Sequence, residues 1–232
     1  MLAMQQNSLN LVNNSCVEKF GEIMNQRNKM DGLELLSIIP NQVIKCTFFD
    51  PQYRGVLDKL NYGNEGKSKE KRRCEMQQMS EEMIVNFIEL ISEKLLPSGH
   101  LFLWIDKFHL CEGTSHWFKN TQLSIVDMIT WEKPRIGMGY RTRRKSEYML
   151  ILQKKPTKVK GIWTIHNIPD VWQEAVDTKM HPHTKPLALQ QKLIEATSNN
   201  GDIILDPAMG SGSVLQACVN VGRNFIGADI NG

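Results

Sequence analysis

Four residues, Asp50-Pro51-Gln52-Tyr53, follow an apolar run that begins at Val43. The run is β-branched and aromatic and stops at Asp-Pro, so it predicts a buried strand with polar groups at its carboxyl tip. A carboxylate beside a proline carbonyl offers two hydrogen-bond acceptors. They suit an amino group conjugated to a base ring, which is a poor nucleophile because its lone pair is delocalised. If Asp50 and the Pro51 carbonyl accept its two hydrogens, the nitrogen moves toward sp³ and its lone pair can attack an electrophilic carbon. Tyr53 would stack on the ring. A base reaching such a pocket would have to be flipped out of a duplex. Taken alone, D-P-x-Y is also a common turn.

A second constellation lies near the end of the chain. Asp202 to Ser213 reads as a strand, a tight glycine turn and a helix start. In open α/β sheets, ligands bind at the carboxyl ends of strands, where such turns sit. Gly210 and Gly212 let backbone approach a ligand with no Cβ in the way. Asp229 closes the next strand, 19 residues beyond Gly210, where an acid can accept both hydroxyls of a ribose. The dinucleotide pattern G-x-G-x-x-G fails because Leu215 occupies the third glycine position. Asp206 at the strand tip would also repel a pyrophosphate. It suits a ligand with a cationic part, and S-adenosylmethionine carries both an ammonium and a sulfonium.

The elements that must hold these residues alternate along the chain. Leu33–Ile39 predicts a short helix stopped by Pro40. Ser80 caps a helix running to Leu96, with acids in its first turn, and Pro97-Ser98-Gly99 is expected to end it. Strands are expected at 100–105, 124–132, 147–153, 202–205 and 224–230. Helices are expected around 115–120 and over 187–197 and 213–221. This alternation favours an α/β sheet with helices on both faces. Residues 54–80, with seven basic and four acidic side chains, predict a long mobile loop. Residues 156–180 predict irregular structure.

With 232 residues, 41% of them hydrophobic, the chain is expected to form one domain. No apolar run approaches the roughly 18 residues that cross a bilayer, and the N-terminus has no signal-peptide pattern. The five cysteines are scattered, which argues against a disulfide framework or a zinc site and fits a reducing cytoplasm. His181 and His183 are near metal-ligand spacing, but Pro182 and the lack of nearby acids argue against a metal. Between Lys133 and Lys160 there are ten basic residues and one acid, Glu147, on a chain whose net charge is only +3. One face is therefore cationic, as a polyanion partner would require.

Together the blocks resemble the amino-methyltransferases of restriction–modification systems, in the permuted beta order. Asp50-Pro51-Gln52-Tyr53 resembles the D-P-P-Y of that family. His181-Pro182-His183-Thr184-Lys185-Pro186 resembles its H-P-x-x-K-P. Asp206-Pro207-Ala208-Met209-Gly210-Ser211-Gly212 resembles its cofactor loop, D-P-F-x-G-S-G. The resemblance spans about 31 to 230. It implies a Rossmann-like methyltransferase fold with a mixed seven-stranded sheet, helices on both faces and a circularly permuted motif order. It implies catalysis by Asp50, Pro51 and Tyr53. It also implies S-adenosylmethionine contacts from Asp50, Lys185, Pro186, Asp206, Pro207, Ala208, Met209, Gly210, Ser211, Gly212, Ser213 and Asp229. Lys185 is expected on the methionine side of the pocket. Gln52 and Ala208 depart from the family pattern, but the acceptor pair is intact. The family usually adds another helix beyond the position of Gly232.

The substrate implied is double-stranded DNA. Asp at the first catalytic position points to adenine N6, since cytosine-N4 members more often carry Ser there. Cytosine N4 is the alternative acceptor, and a catalytically silent DNA-binding subunit is the alternative role. No cysteine follows a proline, which excludes the C5-cytosine class. Arg141, Arg143, Arg144 and Lys145 are expected to contact DNA. Target recognition is assigned by elimination to 156–180, with Trp163, His166 and Trp172, inside a 133–180 basic and recognition region. A homodimer and a separate restriction nuclease remain open as partners.

Overall fold

The computed structural model describes residues 20–52, 79–137, 141–175 and 184–230. The expected loop over 54–80, apart from its last two residues, Tyr53, and His181 and His183 lie outside them. The described residues form one eight-stranded sheet. Its strands are β1 (Asn28–Lys29), β2 (Ile44–Phe49), β3 (Leu95–Ile105), β4 (Leu123–Glu132), β5 (Ser146–Lys154), β6 (Val171–Gln173), β7 (Ile203–Asp206) and β8 (Asn224–Asp229). Their spatial order is β1-β8-β7-β2-β3-β5-β4-β6. All neighbours are parallel except that β5 runs against both β3 and β4. The sheet is thus mixed, as expected, but has eight strands rather than seven. Short β6 extends one edge from within the stretch expected to be irregular.

The helices are α1 (Gly32–Ile38), α2 (Glu81–Lys94), α3 (Lys107–Glu112), α4 (Leu187–Thr197) and α5 (Ser213–Val221), with a 3₁₀ turn at Ser115–Phe118. Ser80 Oγ accepts from Met83 N–H at the start of α2, where capping was expected. Helix α2 ends at Lys94, before Pro97-Ser98-Gly99. Those residues instead form an irregularity inside β3, where Ile44 pairs with Leu95 but Cys46 pairs with His100.

Alternation along the strands builds two cores. Leu101, Leu103, Ile105, Leu150 and Leu152 face α1 and α2, where they meet Leu35, Phe87 and Ile91. Phe102, Trp104, Met149 and Ile151 face α4 and α5, where they meet Leu189, Leu193, Val214 and Ala217. A sheet covered on both faces leaves a small ligand the ends of its strands.

Candidate active site

Four adjacent parallel strands end in an aspartate along one rim. β8 ends at Asp229, β7 at Asp206, β2 just before Asp50 and β3 just before Asp106. Neighbouring strands lie about 4.8 Å apart, so these carboxylates share one edge. Asp106 is engaged locally: Oδ1 caps α3 at Phe108 N–H and Oδ2 pairs with His109 Nδ1 at 2.9 Å. The other three converge where sequence reasoning placed the cofactor loop and the catalytic block.

Asp206 is the buried member. Burial pushes its carboxyl up to about 8; the Ala208 N–H works against this, and the charges of Asp50 and Asp229 add to it. Its Oδ1 accepts from Ala208 N–H at 3.2 Å. Asp229 Oδ2 accepts from Gly210 N–H at 3.2 Å, tying the tip of β8 to the glycine turn. Gly212 sits at φ 76°, a left-handed conformation that favours glycine, and its N–H closes the turn on Met209 O at 2.8 Å. It caps α5 without a side chain. Pro207 and Met209 lie inside the turn and Ser213 opens α5; all three are buried. Two residues absent from the sequence reading complete this end. Arg27 Nη2 donates to Gly210 O at 2.6 Å. Gly32, at the start of α1, lies so close that a Cβ would come within 2.2 Å of Pro207 O.

Asp50 meets Lys185 on the other side of β7. Lys185 Nζ lies 3.0 Å from Asp50 Oδ2 and 2.9 Å from Glu147 Oε2, and 4.7 Å from the centroid of the Trp104 ring. Burial alone would pull the Lys185 ammonium down, but Asp50 and Glu147 outweigh it and push it above its ordinary value. Lys185 is therefore cationic across the working range. The block expected to line the methionine side of the pocket thus presents its lysine to the Asp50 carboxylate. Pro186 starts α4 with no side-chain cap of its own. Glu174 supplies that cap from β6's end, accepting from Ala188 N–H at 2.9 Å and Leu189 N–H at 3.1 Å. Glu147, Trp104 and Glu174 were not singled out by sequence. For Glu147 the signal was present, as the lone acid in the basic stretch.

The expected DNA-contacting residues lie beyond the same rim. Lys133 N–H donates to Lys145 O and Gly137 N–H to Arg144 O, so the β4–β5 hairpin continues past the strand tips. Arg141, Arg143 and Arg144 ride on this extension; Arg143 Nε donates to Gly137 O at 3.1 Å. Lys145 pairs with Glu132. The aromatic residues assigned to recognition separate. Trp172 is on β6 beside Trp131, near the rim. Trp163 Nε1 donates to His100 Nε2 at 3.1 Å, level with Gln153 and therefore toward the opposite end of the sheet. His166 lines a cavity of about 440 Å³ with Trp163 and Asp127.

Residues 44–232 match the model of the N6/N4 family described as DNA methylase. The chain belongs to the N6/N4 DNA methylase family. It is 55% identical over 208 residues to the type II methyltransferase M.HhaII of Haemophilus parahaemolyticus, covering 89% of this chain and 91% of that one. Among solved structures, M1.HpyAVI in complex with S-adenosylmethionine superposes with TM-score 0.61 at 20% identity, covering 88% of this chain and 92% of that one. The cytosine-N4-specific PvuII methyltransferase superposes with TM-score 0.67 at 16% identity, over 88% and 81%. These two likenesses establish the methyltransferase fold.

N6/N4 DNA methylases take their methyl group from S-adenosylmethionine, and the residues present fit that donor. The buried Asp206 carboxyl, pushed up to about 8 mainly by burial, would be favoured in its ionised form by a cation placed at this rim. The donor brings two. No side chain caps α5, so backbone N–H groups of its first turn would be available to the donor's carboxylate.

Proposed function

We propose that this DNA methyltransferase transfers the methyl group of S-adenosylmethionine to N6 of an adenine flipped from duplex DNA. One observation carries the reading: strands β2 and β7 are hydrogen-bonded neighbours, Thr47 opposite Leu205, so the Asp50 block and the Asp206–Gly212 turn lie side by side at one rim of the sheet. S-adenosylmethionine supplies an electrophilic methyl on a positively charged sulfur.

The chain's residues divide the rest of the work. Asp206, Gly210, Ser211 and Gly212 hold the donor's amino-acid part, and Asp229 its ribose. The Asp50 carboxylate and the Pro51 carbonyl accept the two hydrogens of the target amine and turn its lone pair toward the methyl. Tyr53 stacks on the flipped base. Arg141, Arg143 and Arg144, on the hairpin beyond the rim, take phosphates or base edges.

The choice of adenine rests on Asp at position 50. The test is incubation with genomic DNA and labelled donor, followed by mass spectrometry of the nucleosides. Label in N6-methyladenine is expected; label in N4-methylcytosine would replace adenine by cytosine. Asp50→Ala is expected to abolish transfer, by about a hundredfold or more, with donor affinity within a few-fold of the parent. Full activity in Asp50→Ala would remove Asp50 from the chemistry.

A further inference from the structure

Asp50 does not face Lys185 alone. Four charges of alternating sign run inward from the hairpin to the catalytic carboxylate. Lys133 pairs with one Glu147 oxygen. The other Glu147 oxygen takes Lys185 Nζ, which in turn takes Asp50 Oδ2. Each cation also lies 4.7 Å from the centroid of an indole, Lys133 over Trp131 and Lys185 over Trp104. The two indoles pack edge to face, 5.9 Å apart. Strand pairing sets the arrangement: Trp131 is opposite Glu147, and Trp104 opposite Met149, two residues further along β5.

This is a built constraint rather than a loose surface pair. A lysine ammonium on a four-carbon stem has many rotamers, and a single carboxylate partner would let both side chains move together. Here the ammonium is fixed from three sides: the Trp104 face beneath, Glu147 on one flank and Asp50 on the other. Glu147 is itself held by Lys133. Burial alone would raise its carboxyl, but the two ammoniums outweigh that and hold it at about 2, so it remains ionised. Amine activation depends on carboxylate direction, since misplacement by about 1 Å costs on the order of a hundredfold in rate.

We propose that Glu147 and Lys133 are positioning residues for methyl transfer: they pin the Lys185 ammonium on Trp104, and the pinned ammonium sets the orientation of the Asp50 carboxylate toward the target amine. The inference rests on the reading of Asp50 as the acceptor of that amine.

Single-turnover transfer, with enzyme in excess over DNA, tests it. Glu147→Gln keeps the shape and removes the charge. It is expected to slow the transfer step by about ten- to a hundredfold, with donor and DNA affinities within about twofold. Lys133→Ala, further along the chain of charges and at the surface, is expected to slow it by several-fold with an unchanged melting midpoint. Lys133→Arg is expected to restore most of the rate. The decisive comparison is a double-mutant cycle: in a Lys185→Ala background, Glu147→Gln should have little further effect. Parent-like rates in both Glu147→Gln and Lys133→Ala, or effects additive with Lys185→Ala, would overturn the inference. An active Asp50→Ala would instead remove the reading on which it stands.

Discussion

Asp206 is the residue whose surroundings have the clearest consequence. An acid held at about 8 when its ordinary value is 3.8 keeps its proton at neutral pH. Between those two values the native protein binds more protons than the unfolded chain, so the free protein loses stability as pH rises through that window. A cationic donor favours the ionised form, and binding therefore releases a proton. Donor affinity measured by calorimetry is expected to strengthen from pH 6 to 8, by at most about tenfold per unit. Asp206→Asn should flatten that dependence and weaken binding. A flat profile in the parent protein would contradict this. Asp206 and Asp50 were both legible in the sequence because each ends an apolar run and precedes a proline. The rim to which they belong was not read. Yet Phe49-Asp50, Ile105-Asp106, Leu205-Asp206 and Ala228-Asp229 all show an apolar residue closing on an aspartate. Only sheet order shows that these four lie side by side.

Among the elements, α1 does more than cover a face. Its first residue, Gly32, touches Pro207 O and the Phe87 ring, so three distant segments meet where no side chain fits. Asp31 caps the helix, its Oδ1 accepting from Leu33 N–H at 2.8 Å, which fixes the angle at which α1 enters. Gly32→Ala must push against backbone. A cost of about 1–3 kcal/mol in denaturant unfolding is expected, together with weakened donor binding. Parent-like values for both would mean that α1 can shift freely. Most helices and strands were readable from periodicity, and α4 and α5 match their expected limits. The departures came where local signals mislead. Pro97 and Gly99 suggest a helix stop but form an irregularity inside a strand. Val171–Gln173 is too short to announce itself and exists through its pairing with Thr130–Glu132.

For the whole molecule, charge is sorted along one edge. The strand tips carry the acids Asp50, Asp106, Asp206 and Asp229, while the hairpin beyond them carries Arg141, Arg143 and Arg144. Two lysines of the same basic stretch, Lys133 and Lys145, pair with Glu147 and Glu132. The composition therefore overstates the number of cations available to DNA. Replacing the three arginines by alanine is expected to weaken DNA binding and to reduce the slope of log affinity against log salt by up to about 0.9 per lost phosphate contact. Donor affinity should be unchanged, and an unaltered slope would move the DNA interface elsewhere.

The pairing of β1 with β8, Asn28 opposite Ala228, places an early strand of the chain next to a late one. A ring closed through those neighbours and cut at another loop would trace the same sheet with the glycine turn ahead of the Asp50 block. Linear order along such a polypeptide is thus a matter of where the ring is opened, while the chemistry depends only on which strands sit shoulder to shoulder.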